Sequence, residues 1–430
     1  MSRQVHMTGP LPRRRARITG IGQLVTCAGP DRGPLRDFAA LGTLDNAEMV
    51  VSLELEGGWQ VQWFGKAGHP GRPPADTTID IGGRVLLPGL TDCHTHLVFA
   101  GDRANEFAQR LSGVSYQDIA ASGGGILHTV AATRRASLPE LVQTATLRLD
   151  ELAAQGVRMV EIKTGYGLDL ATERKILAAI AALRRLFASK MQIIATAMPA
   201  HAVAPEFKGD TAGYVSHVCD HILPALVGDG ALDFVDIFVE QGYFDVAQAD
   251  RIWRVARTLG LGLKAHVDEF AAIGGLPWAI KAGATSVEHL LQTTPEGIKQ
   301  LAKSQTVAVG LPLTSVFLRE PTAPLRALVD AGAQVAIATD CNPGSAMTTN
   351  LTLAVQMAVL LTKLTPAEAI RAVTRSAAQA LGCPNGYRGR IAVGEPFLPT
   401  VLDLPRIDHL FYQLGRPACG YAGLVEAGVG

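Results

Sequence analysis

Between Met49 and Phe64 the apolar residues Val51, Leu53 and Leu55 alternate with Ser52, Glu54 and Glu56, and Trp59, Val61 and Trp63 then alternate with Gln60 and Gln62. A repeat of two puts one kind of side chain on each face of a strand. The Gly57-Gly58 pair between the two runs tolerates the positive φ angles of a tight turn, so the segment predicts an antiparallel hairpin with one buried face.

After Leu86 the texture changes to short Val/Ile-rich runs separated by Ala/Leu/Arg-rich segments of helical period. Eight strands are expected: Val85–His96, Met159–Thr164, Gln192–Pro199, Phe234–Glu240, Leu261–His266, Thr285–His289, Thr306–Leu311 and Gln334–Asp340. Segments such as Thr172–Ala188, Ala247–Leu259 and Pro321–Ala331 are long enough for crossover helices, and two further helices are expected around Leu351–Leu361 and Pro366–Leu381. Eight such strands close a (β/α)8 TIM barrel, with an open doubly wound sheet as the rival α/β topology. Residues 1–87 read as the N-terminal part of a small β-sandwich domain, 88–386 as the barrel, and the Gly/Pro-punctuated 387–430 as a return that completes the β domain. The sandwich would thus be formed from both chain ends.

Composition narrows the class of partner. Among the 430 residues, 39 Lys and Arg balance 39 Asp and Glu, so no whole-chain field would recruit nucleic acid or an anionic membrane. A small-molecule substrate is the expectation. No stretch approaches the roughly 18 to 20 apolar residues of a membrane helix. Cysteines at 27, 93, 219, 341, 383 and 419 form no Cys-x-x-Cys pair, which fits a reducing cytoplasm better than a disulfide framework. Arg13, Arg14, Arg15 and Arg17 precede an apolar stretch that Gly20, Gly22 and Gln23 interrupt early, so this reads as a solvated tail leading into a strand rather than a secretory leader.

Barrel enzymes place their catalytic groups at the C-terminal ends of the strands. His94, His96, His201, His266 and His289 fall at or just beyond such ends, and Asp340 closes the eighth strand. His94 and His96, two apart, project to the same face and can share one ion. With His266 and Asp340 they make a nitrogen and oxygen set suited to one divalent ion, zinc or iron. Asp340 reads either as a ligand that can also take a proton from water or as a cap before the Asn342-Pro343-Gly344 turn. Glu269, three residues past His266, is a candidate acid/base or a solvated glutamate in a helix's first turn. His289 would polarise a carbonyl or simply pack in the core.

Several blocks resemble the amidohydrolase superfamily: Pro88-Gly89-Leu90-Thr91-Asp92-Cys93-His94-Thr95-His96 running on to Gly101-Asp102-Arg103, Gly123-Gly124-Gly125-Ile126, Glu161-Ile162-Lys163-Thr164-Gly165-Tyr166-Gly167-Leu168, His201-Ala202-Val203-Ala204-Pro205-Glu206-Phe207, Lys264-Ala265-His266-Val267-Asp268-Glu269, Val287-Glu288-His289-Leu290 and Thr339-Asp340-Cys341-Asn342-Pro343-Gly344-Ser345. Arg103, Tyr166 and the Asn-Pro-Gly-Ser run narrow the resemblance to a single-metal branch that opens an imidazolone ring bearing a propionate. The resemblance implies His94, His96, His266 and Asp340 as ligands of zinc or iron. Arg103, Tyr166, His201, Glu269, Asn342, Gly344 and Ser345 would then surround the substrate, and Arg103 suits the carboxylate tail. It also points to a homodimer. Catalysis would rest on Glu269, His289 and Asp340: His289 at the developing oxyanion, the two carboxylates on the protons, with the division between them open. A related deaminase or cyclic amidase, needing no carboxylate clamp, and a metal-free binding protein are the competing readings. Lys163, where a bridging carbamylated lysine would be sought, reads as a structural ion pair. Two departures touch the small domain: Gly394-Glu395-Pro396-Phe397-Leu398-Pro399-Thr400 lacks the Ala-Asp usual after the barrel, and the N-terminal tail is long and basic.

Overall fold

In a computed structural model of the chain, residues 14–54, 58–114, 124–230, 232–420, 424 and 428–429 are described. Two sheets organise them. Strands β1 (Arg15–Val25), β2 (Thr43–Leu53), β3 (Trp59–Lys66), β4 (Thr77–Pro88) and β13 (Pro399–Leu402) form one sheet in the order β13-β4-β1-β2-β3. The alternation around Val51 and Val61 does what it predicts: β2 and β3 pair antiparallel, Val51 facing Val61 and Ser52 facing Gln60. Most of the turn between them lies outside the described residues, as does most of the basic tail.

The C-terminal return closes this sheet on itself. Residues 394–397 bond to the free edge of β3 through Gly394 N to Val61 O, Val61 N to Glu395 O and Phe397 N to Trp59 O, and β13 then pairs with β4 at the opposite edge. Ile18, Met49, Val61, Leu86, Phe397 and Val401 share the core so enclosed. The missing Ala-Asp pair therefore costs no pairing, because the ladder uses backbone groups that any residue but proline offers.

The second sheet holds eight parallel strands: β5 (Leu90–Asp92), β6 (Val157–Lys163), β7 (Gln192–Ala200), β8 (Phe234–Val239), β9 (Gly262–Val267), β10 (Ser286–His289), β11 (Val307–Gly310) and β12 (Val335–Ile337). It closes between β12 and β5, where Thr95 bridges Cys341, His96 N donates to Cys341 O at 3.0 Å and Asp340 N donates to His94 O at 3.1 Å. The barrel, not the open sheet, is the topology. Among the described residues no helix is long and apolar enough to cross a membrane.

Two expected elements differ. Val85–His96 is not one strand: β4 belongs to the small sheet, β5 to the barrel, and the chain changes sheet at Gly89. A Cβ there would stand 2.9 Å from that of Arg158 and 3.0 Å from Leu398 O, so only glycine lets the two sheets approach at this corner. Pro366–Leu381 is likewise two helices, Pro366–Ala372 and Arg375–Ala380. The break leaves Val373 O free to accept from Thr91 N at 2.8 Å, tying β5 to the far end of the barrel.

Candidate metal centre and active-site cleft

The loop leaving β5 carries His94 and His96 two and four residues past the strand, still on one side of the chain. Their Nε2 atoms lie 3.3 Å apart, and His266 Nε2, from β9, is 3.4 Å from that of His96. Asp340 Oδ1 stands 3.5 Å from His94 Nε2 and 3.7 Å from His96 Nε2. Ligands about 2.0–2.1 Å from a tetrahedral zinc lie roughly 3.3–3.4 Å from one another. The spacings are those of ligands that share an ion, with His94, His96 and Asp340 forming one candidate group and His94, His266 and His289 another.

Protonation supports the same picture. Burial, then the positive Lys163 and neighbouring imidazoles, holds His94 well below the usual histidine range, and burial, His201 and His266 do so for His96. Both are neutral and present lone pairs. His266 is oriented from behind: its Nδ1 donates to Asp236 Oδ1 at 3.0 Å, which aims Nε2 into the cluster. Burial raises Asp340 to about 6, against hydrogen bonding from Thr314, whose Oγ1 donates to Asp340 Oδ2 at 2.7 Å. Asp340 (φ +55°) and His289 (φ +72°) both adopt the left-handed region, a strain that clusters where surroundings fix a functional geometry.

Beneath the histidines the barrel interior is charged. Lys163 Nζ is 2.7 Å from Asp236 Oδ2 and 2.9 Å from Glu161 Oε2, while Lys264 Nζ is 2.9 Å from Glu161 Oε1 and 3.8 Å from Glu288 Oε1. All five side chains are fully buried. Burial alone would lift the Asp236 carboxyl, but His266 and Lys163 together hold it well below the usual carboxylate range. Lys163 is thus fully engaged in ion pairs, consistent with its structural reading.

Over the cluster opens a cleft of about 890 Å³, lined by His96, Arg103, Tyr166, His201, Glu269, His289, Asp340, Asn342, Gly344 and Ser345 among others. The seven residues expected around a substrate all line it. His201 Nδ1 donates to Gly165 O at 3.2 Å, its ring stacks on His96 with centroids 4.9 Å apart, and burial pushes its pKa down to about 3. Glu269 Oε1 lies 3.6 Å from His289 Nδ1, and burial, with Asp340, Glu240 and Glu320 nearby, raises its carboxyl well above the usual range. Glu269 is therefore buried, not the solvated glutamate of the alternative reading. Asn342 Oδ1 accepts from Gly344 N and Ser345 N, both at 2.8 Å, which folds the 342–345 turn into a cradle. A Cβ on Gly344 would meet Arg103 Nη1 at 2.1 Å, so this glycine seats the Arg103 guanidinium.

Comparison with known proteins agrees with this geometry. An amidohydrolase family model matches residues 240–419. Imidazolonepropionase from Herpetosiphon aurantiacus is 42% identical, covering 94% of this chain and 95% of its own, and that from Symbiobacterium thermophilum is 42% identical, covering 93% of both. The chain belongs to the imidazolonepropionase family. Amidohydrolase-fold structures also superpose: atrazine chlorohydrolase from Arthrobacter aurescens complexed with zinc (TM-score 0.66, 16% identity, 94% of this chain and 92% of that one) and 5-methylcytosine deaminase from Klebsiella pneumoniae (0.66, 16%, 93% and 95%). At that identity they speak for the fold alone. Within this imidazolonepropionase-family site, sequence reasoning missed Asp236, Thr314, Glu240, which accepts from Glu269 N at 3.1 Å, and Arg110. For Asp236 a signal existed, an acid inside the apolar run Phe234-Val235-Asp236-Ile237-Phe238-Val239.

Proposed function

We propose that this chain hydrolyses the ring amide of 4-imidazolone-5-propanoate to N-formimidoyl-L-glutamate, acting in the cytoplasm. The observation that carries the reading is the two-ended cleft: a four-ligand cluster at its base and an arginine-bearing cradle at Gly344 on its wall, in a chain whose relatives bear that name. A propionate tail seated on Arg103, Asn342 and Ser345 places the ring over the histidines. Tyr166 and His201 flank the ring and offer it hydrogen bonds.

His94, His96, His266 and Asp340 would hold one zinc or iron ion, since imidazole and carboxylate accept either. Such an ion supplies a Lewis acid for the ring carbonyl and lowers the pKa of water toward 7. The protein's own groups move the protons. Asp340, with a pKa of about 6, takes one from the attacking water. Glu269, kept protonated by burial and the carboxylates around it, gives one to the ring nitrogen as the C–N bond breaks. His289, neutral and buried, donates to the carbonyl oxygen where charge develops. One water is consumed, its hydroxyl ending on the carbonyl carbon and its proton replaced at the nitrogen by that of Glu269.

The test is turnover of 4-imidazolone-5-propanoate by the purified metal-loaded enzyme, with the open-chain product identified by mass. E269Q should retain its metal and lose about 100- to 10,000-fold in kcat. Full activity in E269Q removes Glu269 from the proton transfers, and absence of any turnover by the unaltered protein overturns the function.

A further inference from the structure

Strands β8 and β9 are neighbours in register, Phe238 facing His266 and Val239 facing Val267, so the residues just beyond them emerge from the barrel side by side. Glu240 is the first residue past β8. Its own peptide is clamped, Glu240 N donating to Phe244 O at 3.1 Å and Tyr243 N to Glu240 O at 3.0 Å. Glu240 is 1% exposed and lies behind the cleft wall rather than in it.

Its carboxylate crosses to the turn that follows β9. Glu240 Oε2 accepts from Glu269 N at 3.1 Å and from Phe270 N at 3.0 Å, and Oε1 accepts from Gln241 N at 2.8 Å. The opposite side of that turn is held by the loop after β10: Gln292 N donates to Asp268 O at 2.8 Å and Thr293 Oγ1 to Asp268 Oδ2 at 3.1 Å. Asp268 itself takes the left-handed region (φ +55°), which persists only where the surroundings hold it. No helix supplies that support, since the next one begins at Gly275. The turn has to keep Glu269, 7% exposed, inside the cleft while the next side chain, Phe270, is 47% exposed. Two consecutive peptide N–H groups pinned to one buried carboxylate fix that choice.

We propose that Glu240 is a positioning residue for Glu269: by anchoring the 269–270 backbone it aims the Glu269 carboxyl at the ring nitrogen. This rests on the role given to Glu269 above. All three partners of the Glu240 side chain are N–H donors, so the position calls for an acceptor-only group, and an amide there would turn an N–H against an N–H.

The test is a double-mutant cycle in the metal-loaded enzyme acting on 4-imidazolone-5-propanoate. E240Q should lose about 10- to 100-fold in kcat, with KM within about threefold and metal content unchanged, as expected when one reacting group is displaced and the binding groups are not. Added to E269Q, the same change should cost less than about twofold, because no carboxyl is left to aim. An equal fall in both backgrounds, or no fall in kcat, overturns the proposal and leaves the function standing; full activity in E269Q overturns it as well. Absence of turnover by the unaltered enzyme is a failure of the function instead, and hydrogen exchange then decides the anchoring: the Glu269 and Phe270 amides should exchange at least about tenfold faster in E240Q, and unchanged exchange overturns it. Should E240Q not fold, E240D, which keeps both acceptors one methylene further back, goes through the same cycle with the same deciding outcomes.

Discussion

Two polar clusters share the barrel interior, and they deal with burial in opposite ways. The lower one, Glu161, Lys163, Asp236, Lys264 and Glu288, brings its own cations: each lysine reaches two carboxylates. The upper one gathers three imidazoles and a carboxylate whose facing atoms are 3.3–3.7 Å apart. The first is complete with what the chain encodes; the second, on the proposed reading, would be completed by a cation from outside. A packed barrel core is ordinarily aliphatic. Here a charged layer serves as the floor on which the ligand set rests, and Asp236 belongs to both, held by Lys163 below and holding His266 above.

The sharpest way to break that distinction is to remove the ion. Dialysis against a strong chelator should abolish turnover, by about a thousandfold or more, while circular dichroism of the barrel is kept, and either zinc or ferrous iron should restore activity. If chelation unfolds the protein instead, the upper cluster is as structural as the lower.

K163M strikes the floor. Leaving Asp236 and Glu161 buried without this partner should cost about 3 to 5 kcal/mol in urea unfolding. The pH dependence carries a sign. Asp236 sits well below its ordinary value of 3.8 in the folded state, so its contribution is in place above that value and is lost as pH falls through the lower folded one. Removing Lys163 raises the folded value, and the acid-unfolding midpoint should move to higher pH. An unchanged midpoint would mean His266 alone holds Asp236 ionised.

How visible the two clusters are in the sequence follows from the same contrast. The upper one sits at strand ends, where a polar residue after an apolar run is a signal in itself, and His94, His96, His266 and Asp340 are all legible there. The lower one is hidden inside strands. In β6 and β9 an alternating Glu161, Lys163 and Lys264 can equally describe a solvent face, and nothing local says that the face points into a closed barrel. Only the topology decides it. The same holds for the sheet change at Gly89: Val85-Leu86-Leu87-Pro88 and Leu90 are apolar on both sides because each is buried in a different sheet, so hydrophobicity runs on while the ladder does not. Arg110 and Thr314 lie on helices and reach the site only through packing that spacing does not encode.

D236N tests the shared residue. An amide in place of the carboxylate weakens the hold on His266 Nδ1, and metal affinity of the apo-protein should fall about 10- to 100-fold, read by competition with a chelating dye. K163M, which touches no ligand, should change that affinity less. If the two variants lose equally, the floor and the ligand set are one unit and the comparison collapses.

The smallest effect should come from T314V, which is close in shape and removes only the hydroxyl that donates to Asp340 Oδ2. A lost hydrogen bond to a buried carboxylate is worth about 1 kcal/mol here, or about fivefold in metal affinity, because Ser345 Oγ at 3.4 Å can tighten onto the same oxygen. The sign in pH is more telling than the size. Burial lifts Asp340 to about 6 and Thr314 opposes that lift, so without the hydroxyl the carboxyl protonates more readily. Protons compete with the ion for this carboxylate, and the pH at which half the metal is bound should move upward in T314V while the barrel's urea midpoint stays within a few tenths of a molar. A shift in the urea midpoint without a shift in the metal-binding pH would assign Thr314 to the packing of its helix, Pro312–Leu318, and leave Asp340 governed by the histidines alone.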